Sequence, residues 1–276
     1  MLTACQTGAR AGDKMAYYLF AYFTDNTTKG QQVCYAVSAN GLDFTPLNNG
    51  QPILASAGIS LSGGVRDPHI LRSDDGWFRM VLTDMDWQLG KWSNHGIVML
   101  KSRDLIHWEH HAVNFHQRFA GSPFAEVNAV WAPQTIFDPT AGKYMVYFSL
   151  HSAEGGPFGR DAIYYAYANR DFSNLEAEPR LLFGYADPTI DTDIVWKDGQ
   201  YHIFSTHGAK TDCSGGSLLL QTFISPNTGN WCQAECSPTA YRAKGQRHIP
   251  LSAAATGFCA TTVIATEFSS FAALPT

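Results

Sequence analysis

The 276-residue sequence has no apolar run approaching the roughly 18 residues of a membrane-crossing helix, which excludes a transmembrane helix and predicts a soluble folded body. Charge is scarce as well. Only 16% of residues are Asp, Glu, Lys or Arg, the net charge is -5, and no basic run occurs, which excludes nucleic-acid binding through a cationic surface. Nowhere do apolar residues recur with the 3.6-residue period of an amphipathic helix, which removes helical and α/β classes and leaves an all-β chain. Cys5, Cys34, Cys213, Cys232, Cys236 and Cys259 have neither zinc-site nor disulfide-framework spacing, since Cys232 and Cys236 lack a second ligand pair. The 13 prolines and 24 glycines are scattered, so no long linker divides the chain and one domain is expected.

What fills the chain instead is aromatic and apolar: 45% hydrophobic residues, with 13% aromatics, in short β-rich runs separated by polar turns. Four units follow one plan, an aromatic strand, a polar loop, an apolar strand and a Ser/Asn-rich turn. They begin at Tyr17–Phe23, Trp77–Leu82, Lys143–Phe148 and Gln200–Phe204. A further strand precedes three of them at intervals of about 60 residues, near Asp67, Trp131 and Asp191, each leading into a hairpin turn such as Ser73-Asp74-Asp75-Gly76. Four-strand units of this length are the blades of a β-propeller, and four units plus the C-terminal remainder predict five blades. A β-sandwich would leave unexplained why polar motifs recur at one place in every unit.

That place carries the chemistry. The innermost strands of a propeller start around one mouth of the central channel, so Asp67, Asp191 and a later acid would converge despite their separation in sequence. Carboxylates gathered in an aromatic-lined depression suit glycoside hydrolysis, one protonating the leaving oxygen and one activating water. Crowding would raise one carboxyl pKa enough to keep it protonated near neutral pH.

The ordered set Arg66-Asp67-Pro68, Trp131-Ala132-Pro133 and Ile190-Asp191, each followed by its hairpin, resembles glycoside hydrolase family 43 over residues 15–242. That resemblance implies a five-bladed propeller that removes arabinose, xylose or related sugars from plant polysaccharides with inversion. It implies Asp67 as general base and Asp191 as the residue that positions the acid and tunes its pKa. Asp193 is a further candidate if strand alternation places it on the same face. Gln233-Ala234-Glu235-Cys236 looks like the family's general-acid motif, with Cys236 where glycine is common, and implies Glu235 as the acid; Glu126 and Glu154 are the alternatives. The carboxyls of Asp67 and Glu235 should then lie roughly 6.5–9.5 Å apart, the inverting range. His69, Trp87, Trp131 and His151 are the expected substrate-binding residues; the alternatives are hydrogen-bonded framework for His69 and His151, core filling for Trp131, and a scattered surface aromatic for Trp87 and for Trp92 in the same loop. No cofactor is expected. Some family members hold a calcium ion in the channel, but no local motif demands one.

Both ends of the chain break the pattern. Leu2-Thr3-Ala4-Cys5 resembles a lipobox without its upstream basic and apolar segments, so residues 1–14 read as the remnant of a lipoprotein leader. With that signal the protein would be secreted, periplasmic or lipid-anchored, and without it cytoplasmic. Residues 15–242 form the expected catalytic propeller. Residues 243–276 lack the period of a strand, an Asp-Gly turn, and any Trp or Tyr, which predicts a frameshifted tail in place of the rest of the fifth blade. An incomplete ring would expose strand edges, so a non-catalytic carbohydrate-binding propeller is the second reading. Fructan-cleaving propellers are a third, but Arg66-Asp67-Pro68-His69 does not match their usual Asn-Asp-Pro-Asn motif.

Overall fold

A computed structural model of the protein describes residues 16–184, 188–197, 200–207, 217–223 and 263–267. The regular structure of the described residues is almost entirely strand: β1 (Ala16–Tyr22), β2 (Cys34–Ser38), β3 (Thr45–Pro46), β4 (Val65–Arg72), β5 (Phe78–Asp84), β6 (Gly96–Ser102), β7 (Trp108–Asn114), β8 (Val127–Asp138), β9 (Lys143–Ser152), β10 (Ala162–Tyr167), β11 (Arg180–Phe183), β12 (Thr189–Lys197), β13 (Gln200–His207), β14 (Ser217–Phe223) and β15 (Val263–Glu267). Among the described residues, helix is limited to one four-residue turn, Phe115–Arg118, and short 3₁₀ segments. The strands form antiparallel sheets ordered β15-β1-β2-β3, β4-β5-β6-β7, β8-β9-β10-β11 and β12-β13-β14. Strand β4 packs against β8, β8 against β12, and β15 against β4, so the leading strands of successive sheets adjoin. This is the β-propeller expected from the repeat. The expectation of a fifth blade concerns residues that lie outside the described ones.

The first three sheets are buried on both faces, which explains why their inner strands read as apolar runs rather than alternating ones. From β5, Met80 and Leu82 pack toward the first sheet with Leu19, Tyr35 and Leu100. Val81 points the other way and packs with Val130, Val146 and Phe148 of the third sheet. The third sheet in turn buries Met145, Tyr147 and Tyr165 against Ile194, Tyr201 and Ile203 of the fourth. Even the first sheet buries Phe20, Tyr22, Cys34 and Ala36 on its far face.

The tail differs from the sequence expectation in one respect. Val263–Glu267 forms β15, antiparallel to β1 from Ala16 opposite Glu267 to Phe20 opposite Val263. The β-branched pair Val263-Ile264 suits an extended strand, and β1 offers an open edge to receive it.

The turn Ser73–Trp77 forms as the Asp-Asp-Gly sequence predicts, with Gly76 at φ 79° and the Ser73 N–H donating to the Trp77 carbonyl at 2.9 Å. Asp75 does more than shape it. It accepts both terminal nitrogens of buried Arg79 (3.0 and 2.6 Å), whose guanidinium lies 3.8 Å from the Tyr144 ring centroid on the next sheet. The Arg79 bond holds the Asp75 carboxyl below the usual carboxylate range. Asp75→Ala would strand this buried cation and is expected to lower stability by about 1–3 kcal/mol. Denaturant melts would read the change; an unaltered midpoint would mean that the pair does not hold the two sheets.

Candidate active site

Three leading strands carry the same irregularity at the same place. The pairing register slips between Arg66 and His69 in β4, between Trp131 and Gln134 in β8, and between Ile190 and Asp193 in β12. The first residue of each bulge is left-handed: Asp67 at φ 50°, Ala132 at 46° and Asp191 at 52°. A side chain with a Cβ adopts this region at a penalty, although Asp tolerates it better than most. A bulge re-aims the residue it displaces, and strain of this kind concentrates at functional positions. The second bulged residue is Pro68 or Pro133 in two of the three, and a bulge is where a strand can accept a residue with no N–H. The motifs read from the sequence are therefore the bulges themselves, with Asp, Ala and Asp in equivalent positions.

The Asp67 carboxylate is fixed from behind. Fully buried Thr83, opposite Arg66 in register, donates its hydroxyl to Asp67 Oδ2 at 2.8 Å. The same hydroxyl accepts the Ala132 N–H at 3.0 Å, tying the first bulge to the second. Burial raises the Asp67 pKa, while the Arg66 charge, the Thr83 hydroxyl and the Ala132 N–H pull it part of the way back. Asp191 keeps an open side to solvent, yet enough protein surrounds it that desolvation, followed by the charges of Asp67 and Asp161, pushes its pKa up to about 7. Burial acts first on Asp191, and the neighbouring carboxylates add to it. Asp161, absent from the sequence reading, is the third carboxylate of the group. Asp193 is exposed and follows the bulge formed by Asp191 and Thr192, so a period of two cannot be counted across it. Glu235 lies outside the described residues.

The other expected residues divide into framework and surface. His69 accepts the Thr135 N–H through Nδ1 at 3.3 Å, linking β4 to β8, and burial pushes its pKa down to about 4. Trp87 is 37% exposed and its ring lies 5.6 Å from the Arg66 guanidinium, which also sits 4.4 Å from Phe23 and donates to Asn26 Oδ1 at 2.6 Å. Trp131, one residue before the second bulge, stacks on Trp92 at 5.1 Å between centroids. His151 stacks on Trp92 at 4.4 Å, and its Nδ1 is 2.8 Å from Asn128 Oδ1. Lys91 Nζ lies 4.7 Å from the Trp92 ring and 5.5 Å from that of Trp131. Trp131 and His151 are thereby brought together, with Trp92 and Lys91 supplied by the loop after β5. Neither alternative acid joins them. Glu126 lines a separate concavity of about 440 Å³ with Gly121, Ser122, Pro123, Ala125 and Pro157, and Glu154 sits in the turn closed by the Gly156 N–H on the Ala153 carbonyl. Among the described residues, no group of three or more His, Cys, Asp or Glu side chains could hold a metal ion.

Carboxylates and aromatics on the leading strands of a β-propeller suit glycoside hydrolysis. The chain belongs to the family described as a probable glycosyl hydrolase domain related to glycoside hydrolase family 43, whose model matches residues 13–247. Among solved structures it is similar to an exo-1,5-α-L-arabinanase from a bovine ruminal metagenomic library, at 15% identity and a TM-score of 0.55 over 83% of this chain and 74% of that one. A xylan β-1,4-xylosidase from Bacillus halodurans C-125 matches at 17% identity and 0.57, over 83% of this chain and 41% of that one. An α-L-arabinanase from Cellvibrio cellulosa, solved with arabinohexaose, matches at 15% and 0.51, over 79% and 70%. The chain thus spans about two fifths of the xylosidase's length. No curated protein matches this sequence.

Proposed function

We propose that the protein is an inverting glycosidase that cleaves arabinofuranosyl, xylosyl or related bonds in plant-type polysaccharides or oligosaccharides. The observation that carries this reading is the approach of Asp67 and Asp191, from left-handed bulges on two different leading strands, close enough for the charge of one to raise the pKa of the other. Relatives named as arabinanases and a xylosidase support a pentose-containing substrate.

In the proposed reaction, water attacks the anomeric carbon from the face of Asp67, which takes its proton. The glycosidic bond breaks on the opposite face, and Glu235 delivers a proton to the departing oxygen. Asp191 positions the acid and tunes its pKa. Asp67 suits its part because Thr83 and Ala132 orient it and favour its charged form, and a base works best with a pKa near the operating pH. Trp87, Trp131, His69 and His151 are proposed to line the bound sugar.

Proton NMR of the first sugar released from aryl α-L-arabinofuranoside and aryl β-D-xyloside tests the mechanism. We expect the anomer opposite to that of the substrate. A product of retained configuration would overturn inversion, and absence of turnover on both substrates would favour a binding-only propeller.

A further inference from the structure

The part of the site that no motif announces lies beside Asp191. Ala162 pairs with Leu150 across β9 and β10, so Asp161 comes next in register opposite His151. Its carbonyl accepts the Thr189 N–H at 2.9 Å, which fixes Asp161 at the entry to β12, just before the bulge that carries Asp191. His151 stacks on Trp92, and Trp92 on Trp131, with Lys91 near both indoles. Within this cluster two buried polar atoms have no hydrogen-bond partner in the protein: Asp161 Oδ1 and Trp131 Nε1. One is an acceptor and the other a donor. A buried polar atom without a partner is destabilising and uncommon. The charges of His151 and Lys91 act on Asp161 and offset part of the effect of its burial, but neither closes a contact with Oδ1.

We infer that Asp161 is a specificity-determining residue that accepts a hydrogen bond from a hydroxyl of the bound pentose, with Trp131 Nε1 as a matching donor and the Trp92–Trp131 pair as the apolar wall. A sugar hydroxyl is both donor and acceptor, so one ring with neighbouring hydroxyls can satisfy both orphaned atoms. A site built to hydrogen-bond a hydroxyl rejects analogues that lack it. The inference rests on the glycosidase reading for its choice of ligand, but its binding part can be tested without turnover.

The test compares wild type with Asp161→Asn and Asp161→Ala, each checked for a single cooperative thermal melt. Binding of free L-arabinose and D-xylose is followed by calorimetry, and KM and kcat are measured on the two aryl pentosides. Loss of a hydrogen bond to a charged group should weaken binding of the preferred pentose and raise KM by about 10- to 100-fold in Asp161→Ala. The Asn variant, which retains an oxygen acceptor, should lose less, and kcat should change less than KM. If Asp161→Ala does not fold, the near-isosteric Asn variant still decides the matter through its smaller loss. Pentose affinity and KM within twofold of wild type in the folded variants would overturn the assignment. Pentose binding that depends on Asp161 in a wild type without turnover would uphold the site and sink the glycosidase reading alone.

Discussion

Asp67→Asn is expected to lower kcat on aryl pentosides by about 10²–10⁴-fold, the usual contribution of a positioned general base, with little change in KM. The substitution is suited to the site. Asparagine tolerates the left-handed backbone that Asp67 adopts at φ 50°, and its side-chain oxygen can still accept the Thr83 hydroxyl. The amide cannot take a proton from water. Loss of turnover in a folded variant would therefore report on chemistry. Glu235→Gln provides the contrast: an acid is needed least when the leaving group departs easily, so its loss should be severe on oligosaccharides and mild on activated aryl substrates. Turnover of Asp67→Asn within twofold of wild type would remove Asp67 from the mechanism.

Asp191→Asn should reduce turnover by about 10²-fold through misplacement of the reacting groups, yet stabilise the protein in alkaline solution. The folded-state pKa of Asp191 is about 7, against an ordinary value of 3.8. The folded protein thus holds a proton that the unfolded chain releases near pH 4. Stability associated with that proton is present in full below pH 4 and is lost as pH rises through 7. Asparagine does not ionise, so the variant should match wild type near pH 4 and melt at a higher temperature above pH 7. Thermal melts at pH 4 and pH 8 check this. Equal midpoints at pH 8 would mean that solvent at the open side of Asp191 relieves the repulsion from Asp67 and Asp161.

The sheets were legible because their cause is local and repeated. Runs such as Trp77–Leu82 and Lys143–Phe148 are apolar on both faces of the strand since their sheets are buried on two sides, and the turn at Asp75-Gly76 announces itself through glycine. The positions of Asp67 and Asp191 were legible because the unit repeats, and equivalent residues of a repeat converge around an axis. The status of Asp193 was not, because alternation cannot be counted through a bulge whose presence no residue declares. Asp161 left no signal: it is a single carboxylate before a strand, and only the pairing of β9 with β10 sets it opposite His151. Thr83 is equally silent, an ordinary strand residue until register places its hydroxyl between Asp67 and Ala132.

The amino-acid order alone determined the all-β class, the repeat that makes a propeller, the hairpin turns and the two carboxylates that open equivalent strands, since all of these follow from composition and spacing along the chain. Tertiary structure decided what those carboxylates experience. The left-handed bulges, the hydroxyl behind Asp67, the third carboxylate beside Asp191 and the Lys91–Trp92 loop against Trp131 all depend on which strands lie side by side. A pKa displaced to about 7 is a property of that enclosure, because desolvation and charge repulsion act through space, here from Asp161 on another strand pair and from Asp67, more than a hundred positions away in the sequence.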